Sequence, residues 1–179
     1  MGTLYVNNIQ NLAGNLTALT VNADGTFIMP NRPHVFAQGF GNTVNGQTIN
    51  GNYQGTSWGI AVNYDSVPNN QGNHFNNSTG KFIAPVSGIY NMTVHVGYKS
   101  SSSYLGLGIH TGADDHHEYG SAQQWGPDNS SNGQYEPMCI ALNKYVAAGK
   151  EVCVALRHAS YADPYTDNNY FTFSCTYIG

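Results

Sequence analysis

From Ile89 onward, Tyr90, Met92, Val94 and Val96 alternate with Asn91, Thr93, His95 and Gly97. A period of two marks a strand with one face turned to a core, so Tyr90 is expected to point inward. The alternation recurs at Val152, Val154 and Leu156, and again at Phe171, Phe173, Cys175 and Tyr177. Further runs of strand character lie at 58–63, 104–110, 119–124, 138–145, 151–157 and 170–178, bounded by clusters of Gly, Pro, Asn or Asp. No segment repeats apolar residues at spacings of three and four over ten or more positions, so helix content is expected to be very small. Many short strands at regular spacing predict a two-sheet antiparallel sandwich, of which the jelly roll is one solution.

The stretch 64–96 organises the rest, because a turn-rich loop there feeds two strand-like runs. In Phe82-Ile83-Ala84-Pro85-Val86 a short apolar strand ends near a proline that cannot donate to a ladder, and Ser87-Gly88 supplies turn chemistry. A hairpin or tight corner is expected there. Upstream, residues 1–33 alternate apolar patches (Leu4, Val6 and Ile9; then Leu12, Leu16, Leu19 and Val21; then 27–29) with turn signals at Gly14 and Asn22-Ala23-Asp24-Gly25. So short a segment cannot bury those patches alone. It either packs on the globular part or pairs with copies of itself. Pro30 and Pro33 bracket a linker, and the Gly, Asn and Gln-rich region 39–55 reads as a surface loop or a marginal hairpin. The chain thus divides into an attachment or oligomerisation segment, 1–33, and a head, 34–179.

Within the central stretch, Tyr64, Asn70, Phe75, Phe82, Gly88 and Tyr90, set in Asn73-His74-Phe75, Ser78-Thr79-Gly80-Lys81-Phe82 and Pro85-Val86-Ser87-Gly88-Ile89-Tyr90, carry a signature. The segment resembles the complement 1q-like branch of the tumour-necrosis-factor-like superfamily. It departs from that pattern at Met92, where an aromatic residue is usual, and at Tyr64, where Phe is usual. The resemblance implies a ten-strand jelly roll with its first strand at Pro33-His34-Val35-Phe36-Ala37, its penultimate strand after the turn at 146–150, and its last at 169–173. It also implies a homotrimer around a threefold axis. A surplus of aromatic residues, 13 Tyr among them, is what such interfaces would consume. The opening Thr3-Leu4-Tyr5-Val6-Asn7-Asn8-Ile9 is similar to that of small bacteriophage appendage proteins, cyanobacterial phages in particular.

Composition narrows the function classes. At 179 residues the chain suits one domain with an appendage, long enough to bury about two thirds of its unfolded surface. Only 9% of residues are charged and the formal net charge is −4. Without a basic stripe to displace counterions from phosphates, nucleic acid is not the expected partner. No apolar run approaches the roughly 18 residues of a membrane span, and the start lacks the basic and apolar regions of a signal peptide. Cys139, Cys153 and Cys175 sit in strand-like runs without a CxxC pair, and their odd number reads as reduced thiols acting as small hydrophobes.

Candidate chemistry is sparse. Gly55-Thr56-Ser57-Trp58-Gly59 fits the GxSxG pattern of a nucleophile elbow, but such an elbow needs a helix after the serine and 60–62 continues as a strand. Asp114, Asp115, His116, His117 and Glu118 form the densest ionisable cluster, and Asp163, Asp167, Asn168 and Asn169 form an oxygen-rich loop where some members of the resembled family bind calcium. Solvated loops are preferred to ion sites at both, since adjacent strand residues point to opposite faces. No cofactor is expected, with calcium the ion to consider. The Asn-x-Ser/Thr triplets at Asn15, Asn77, Asn91 and Asn129 read as chance products of composition. No histidine pairs with Asp and Ser or Cys at a spacing that suggests a triad. Three stretches carry candidate recognition aromatics: 119–135 with Tyr119 and Trp125, 161–165 with Tyr161 and Tyr165, and 97–104. Such rings stack on sugar faces or fill protein interfaces; lining the trimer interface is the alternative.

These readings converge on a non-enzymatic virion protein of a bacteriophage, serving as a tail-fibre tip, spike or capsid-decorating knob. Its expected partners are its own copies, other virion proteins through residues 1–33, and a host-surface glycan or protein. The alternative is a secreted complement 1q-like recognition protein that binds carbohydrate or protein.

Overall fold

Alternation along the chain becomes alternation of burial. The computed structural model describes residues 8–10, 17–29, 32–39, 43–44, 47–48, 59–61, 63–100, 105–111, 122–125, 136–158, 162–164 and 171–179, and they contain strands and no helix. A small antiparallel sheet comes first: β1 Asn8–Gln10, β2 Thr17–Val21 and β3 Phe27–Ile28. Then follow β4 His34–Gln38, the two-residue pair β5 Thr43–Val44 and β6 Gln47–Thr48, β7 Gly59–Ile60, β8 Ser66–Gln71, β9 Phe75–Asn76 and β10 Lys81–Ile83. The remainder are β11 Gly88–Ser100, β12 Leu105–Thr111, β13 Ala122–Trp125, β14 Glu136–Val146, β15 Glu151–His158, β16 Ala162–Pro164 and β17 Phe171–Tyr177.

Two antiparallel sheets form the sandwich, in the orders β14-β11-β17-β4-β8 and β13-β12-β15-β10-β9. These are the ten strands of a jelly roll; β16 adds to β11 and β7 to β15. Between the sheets lies one core. Val35 and Ala37 enter it from β4, Tyr90, Met92, Val94 and Val96 from β11, Phe171, Phe173 and Cys175 from β17, and Val152, Val154 and Leu156 from β15. Met92, at the position where an aromatic residue is usual in the resembled family, is fully buried here.

The segment between β10 and β11 is a corner rather than a hairpin, because the two strands belong to different sheets. The Tyr90 ring packs against Phe82 (centroids 5.8 Å apart) and Tyr177 (5.3 Å), while its hydroxyl donates to the Val86 carbonyl at 2.8 Å. Gly88 is obligatory at this corner, since a Cβ there would lie 2.5 Å from the Tyr177 ring and 2.6 Å from the Gly179 carbonyl oxygen. At Gly80 φ is +67° and a Cβ would overlap the Ala61 carbonyl, so both backbone and space demand glycine.

One strand runs against the sequence reading. Residues 66–71 belong to the stretch read as a turn-rich loop, yet they form β8 and pair with β4 across an irregularity in register between Phe36 and Gln38. Pro68 is tolerated because β8 ends its sheet and has one side without ladder bonds. Of the predicted strands at 58–63 and 119–124, the described residues form β7 at 59–60 and β13 at 122–125, while 58, 62 and 119–121 lie outside the described residues.

The N-terminal sheet turns at 22–26, where Thr26 donates to Asp24 Oδ1 from its amide (2.9 Å) and its hydroxyl (2.6 Å). Its exit is tied to the sandwich. The Gln71 side-chain amide donates to the Met29 carbonyl at 3.2 Å, the Arg32 guanidinium to the Tyr177 carbonyl, and the Tyr177 amide to the Pro33 carbonyl at 3.0 Å.

Two stability predictions follow from buried polar groups. The Tyr64 ring packs 5.5 Å from Phe75 and 5.7 Å from Phe171, but its buried hydroxyl has no hydrogen-bond partner among the described residues. Tyr64→Phe removes the stranded hydroxyl and keeps the ring, so it should raise unfolding free energy by roughly 1 kcal/mol, as read by urea denaturation. At His34, burial and then the Arg32 charge hold the imidazole below its ordinary pKa of 6.5. The unfolded chain therefore binds more protons at acidic pH, and His34 contributes stability that is lost as pH falls from 6.5 toward the folded value. Replacing it by Gln should flatten that part of the profile of melting temperature against pH.

Candidate functional site

The signature residues are placed by packing. Asn70 braces the turn between β8 and β9, its side-chain amide donating to the Phe75 carbonyl at 2.9 Å and its oxygen accepting from the Phe75 amide at 3.1 Å. Tyr64, Phe75, Phe82 and Tyr90 all lie in the core. None of these side chains faces solvent as a binding group.

Recognition candidates fall at two ends of the sandwich. Beyond Ser100, Trp125 and His158, and before Leu105, Glu136 and Phe171, the strands stop at one end: Leu105 is opposite His158, Gly106 opposite Trp125, and Tyr98 opposite Glu136. At the other end lie the turns at 84–87 and 147–150 and the Pro33–Tyr177 junction. Roughly 40 Å of β11 separates them, at about 3.3 Å per residue. Each stretch read as a recognition loop contains a strand. Residues 97–100 complete β11, residues 162–164 pair as β16 with 98–100, and 122–125 form β13 at its sheet's edge. β11 outruns β17, which pairs only up to Val96, and the backbone left over recruits β16.

Trp125 therefore ends an edge strand opposite Gly106. Tyr119, Tyr161, Tyr165, Asp114, Asp115 and Asp167 lie outside the described residues. Residue 119 belongs to the connection from Thr111, which is opposite Val152, to Ala122, opposite Ile109; those strand ends face away from the end where Trp125 lies. Asp163 is on β16 with Lys99 as its register partner. Among the described residues no three His, Cys, Asp or Glu side chains gather to hold an ion. Ser57 of the GxSxG match is outside the described residues too, and the strand β7 with the bridge at Ala61 follows it, where an elbow needs a helix.

The topology brings together two Cys and His pairs that sequence spacing conceals. His110 on β12 is opposite Cys153 on β15, and His95 on β11 is opposite Cys139 on β14. In the first pair both residues are buried, and desolvation pushes the Cys153 thiol up to about 12. Nearby Glu151 is engaged by Lys81 at 2.7 Å. A thiol so far from ionisation is no nucleophile at neutral pH.

The outward face of β14, β11 and β17 is the feature that sequence reading missed. Along it, the outward positions 89–95, 137–145 and 172–176 hold no Asp, Glu, Lys or Arg. Its polar groups satisfy one another: Asn91 donates to Asn143 at 2.8 Å, the Thr93 and Ser174 hydroxyls are 2.6 Å apart, and His34 Nδ1 is 2.6 Å from the Thr176 hydroxyl. At its base lie exposed apolar residues. Ile89 is the register partner of Tyr145, which is 59% exposed; Ile178 donates its amide to the Ile89 carbonyl, and Val86 precedes the corner. The signal was present in the sequence, because Ile89 and Tyr145 occupy the outward phase of their strands.

Thiol accessibility checks this arrangement. Cys139 is exposed while Cys153 and Cys175 are buried, with both buried thiols raised in pKa by desolvation. A thiol reagent should titrate one cysteine rapidly in the native protein and the other two only in denaturant, and Cys139→Ser should abolish the rapid phase.

The C1q domain family model matches residues 47–175. No curated protein gives a significant sequence match. Among solved structures, crystal structures of murine APRIL are similar: at pH 8.0 the TM-score is 0.58 with 8% identity, covering 82% of this chain and 99% of that one. At pH 5.0 the TM-score is 0.57 with 9% identity over the same shares. At so low an identity the likeness concerns the fold.

Proposed function

The chain belongs to the C1q domain family, and from that premise we propose that it is a homotrimeric, non-enzymatic binding module that displays recognition surfaces on a jelly-roll head. The observation that carries this reading is the outward face of β14, β11 and β17. Burying the base of that face against another copy strands few polar groups, because Asn91 and His34 already bond across the sheet there, and it covers Ile89, Tyr145 and Ile178. Desolvation of polar groups opposes association, so their mutual satisfaction on the exposed face favours it.

In the finer reading the protein is a bacteriophage virion appendage, a tail-fibre tip, spike or capsid-decorating knob. Residues 1–33 dock to the particle, and the end carrying Trp125 meets a host glycan or protein. Supporting this is the polarity of the head: the junction at Pro33 is at one end of β11 and the end of β13 at the other. The family match also suits a secreted recognition protein, in which the same loops would bind carbohydrate or protein.

Sedimentation equilibrium at micromolar concentration should give three times the chain mass. Tyr145→Asp should shift the protein toward monomer with its far-ultraviolet circular dichroism unchanged. A wild-type monomer would sink the trimer reading. Trp125→Ala should reduce adsorption to host cells while leaving the trimer intact; full adsorption would remove that end of the head from recognition.

A further inference from the structure

His95 and Cys139 are directly opposed across the antiparallel ladder of β11 and β14, and both point outward, since their neighbours Val94, Val96, Met138 and Ile140 are buried in the core. Opposed residues of such a ladder have Cβ atoms about 4.5–5.5 Å apart. A tetrahedral zinc ion bound to one thiolate and one imidazole holds sulfur and nitrogen about 3.5 Å apart, from bond lengths near 2.3 and 2.0 Å. Two side chains rising in parallel from adjacent strands meet that requirement.

The surroundings suit a cation. Cys139 is exposed, so its thiolate can be solvated, in contrast to Cys153, whose pairing with His110 is sealed in the protein. The outward positions around the pair are Thr93, Gly97, Pro137, Ala141, Thr172 and Ser174. They include no Lys or Arg to repel a divalent ion. Thr172 is the register partner of His95 on its other side, placing a hydroxyl where it can bond the second ring nitrogen and fix the tautomer.

We infer that His95 and Cys139 form a bidentate site for a borderline-soft divalent cation of the zinc class, with water completing the tetrahedron. On binding, the thiol proton leaves to solvent, one sulfur–metal and one nitrogen–metal bond form, and four of the aqua ion's six waters depart, leaving two in the tetrahedron. Affinity accordingly rises with pH. The site is contained in one chain and stands whether or not the head assembles; six residues, about 20 Å of strand, separate His95 from the apolar base at Ile89.

Cobalt(II) is the probe, added to tag-free full-length protein kept reduced by a phosphine. A thiolate-to-cobalt charge-transfer band should appear and saturate at one equivalent per chain, be displaced by zinc, and strengthen as pH rises. Cys139→Ser and His95→Gln should each weaken binding at least tenfold while melting as the wild type does, because both positions lie outside the core. Zinc should also slow alkylation of Cys139 in the wild type but not in His95→Gln. Absence of the band in excess cobalt, or an undiminished band or equal zinc protection in His95→Gln, would overturn the site.

Discussion

Tyr90 joins the two halves of the sandwich. Its ring touches Phe82 from one sheet and Tyr177 from the other, and its hydroxyl pins the corner at Val86 that carries the chain between them. Aromatic contacts of this kind contribute about 0.5–1.5 kcal/mol each beyond area burial. Position matters more than the sum. Gly88, Ser87 and Ala84 are fixed around the same ring, and Ala84 exchanges backbone bonds with Lys150 and Gly149 while Ser87 accepts from Ala148. The corner and the turn between β14 and β15 are therefore one unit, and β11 leaves it in a direction that sets the register of its whole sheet.

With that sheet fixed, its two faces solve different problems. The inner face excludes water by volume, with large rings from β17 and β11. The outer face is built from short side chains bonded to each other across strands, leaving a surface that is polar in composition yet asks little of solvent. This is an economical way for a chain with 9% charged residues to carry a face that can be wetted or covered. On the opposite sheet, Lys81 and Glu151 neutralise each other at 2.7 Å.

Much of this was legible in the sequence, for reasons of period. The buried phases of β11, β15 and β17 are the alternating residues themselves, and the resemblance around Phe82, Gly88 and Tyr90 carried the topology that periodicity could not. β8 escaped notice because Pro68 and its Asn neighbours have the chemistry of a turn, and only the edge position makes them a strand. The strands inside the 97–104 and 161–165 stretches were hidden for another reason: they exist because β11 is longer than β17, a mismatch that no local window contains. Side-chain bonds on the outer face link residues 52 and 81 positions apart, and the opposed His95–Cys139 and His110–Cys153 pairs are 44 and 43 positions apart. Such partners are visible only once register is known.

The placement of β17 bears on how the molecule comes into being. It lies in the interior of its sheet, between β4 and β11, and His34 meets Thr176 at a separation of 142 positions along the chain. On a ribosome emitting the chain from its amino end, β4 and β8 have no ladder partner among the described residues but each other until residues 171–177 emerge. Nascent copies thus carry an open groove the width of one strand, which a stray segment from another molecule could occupy.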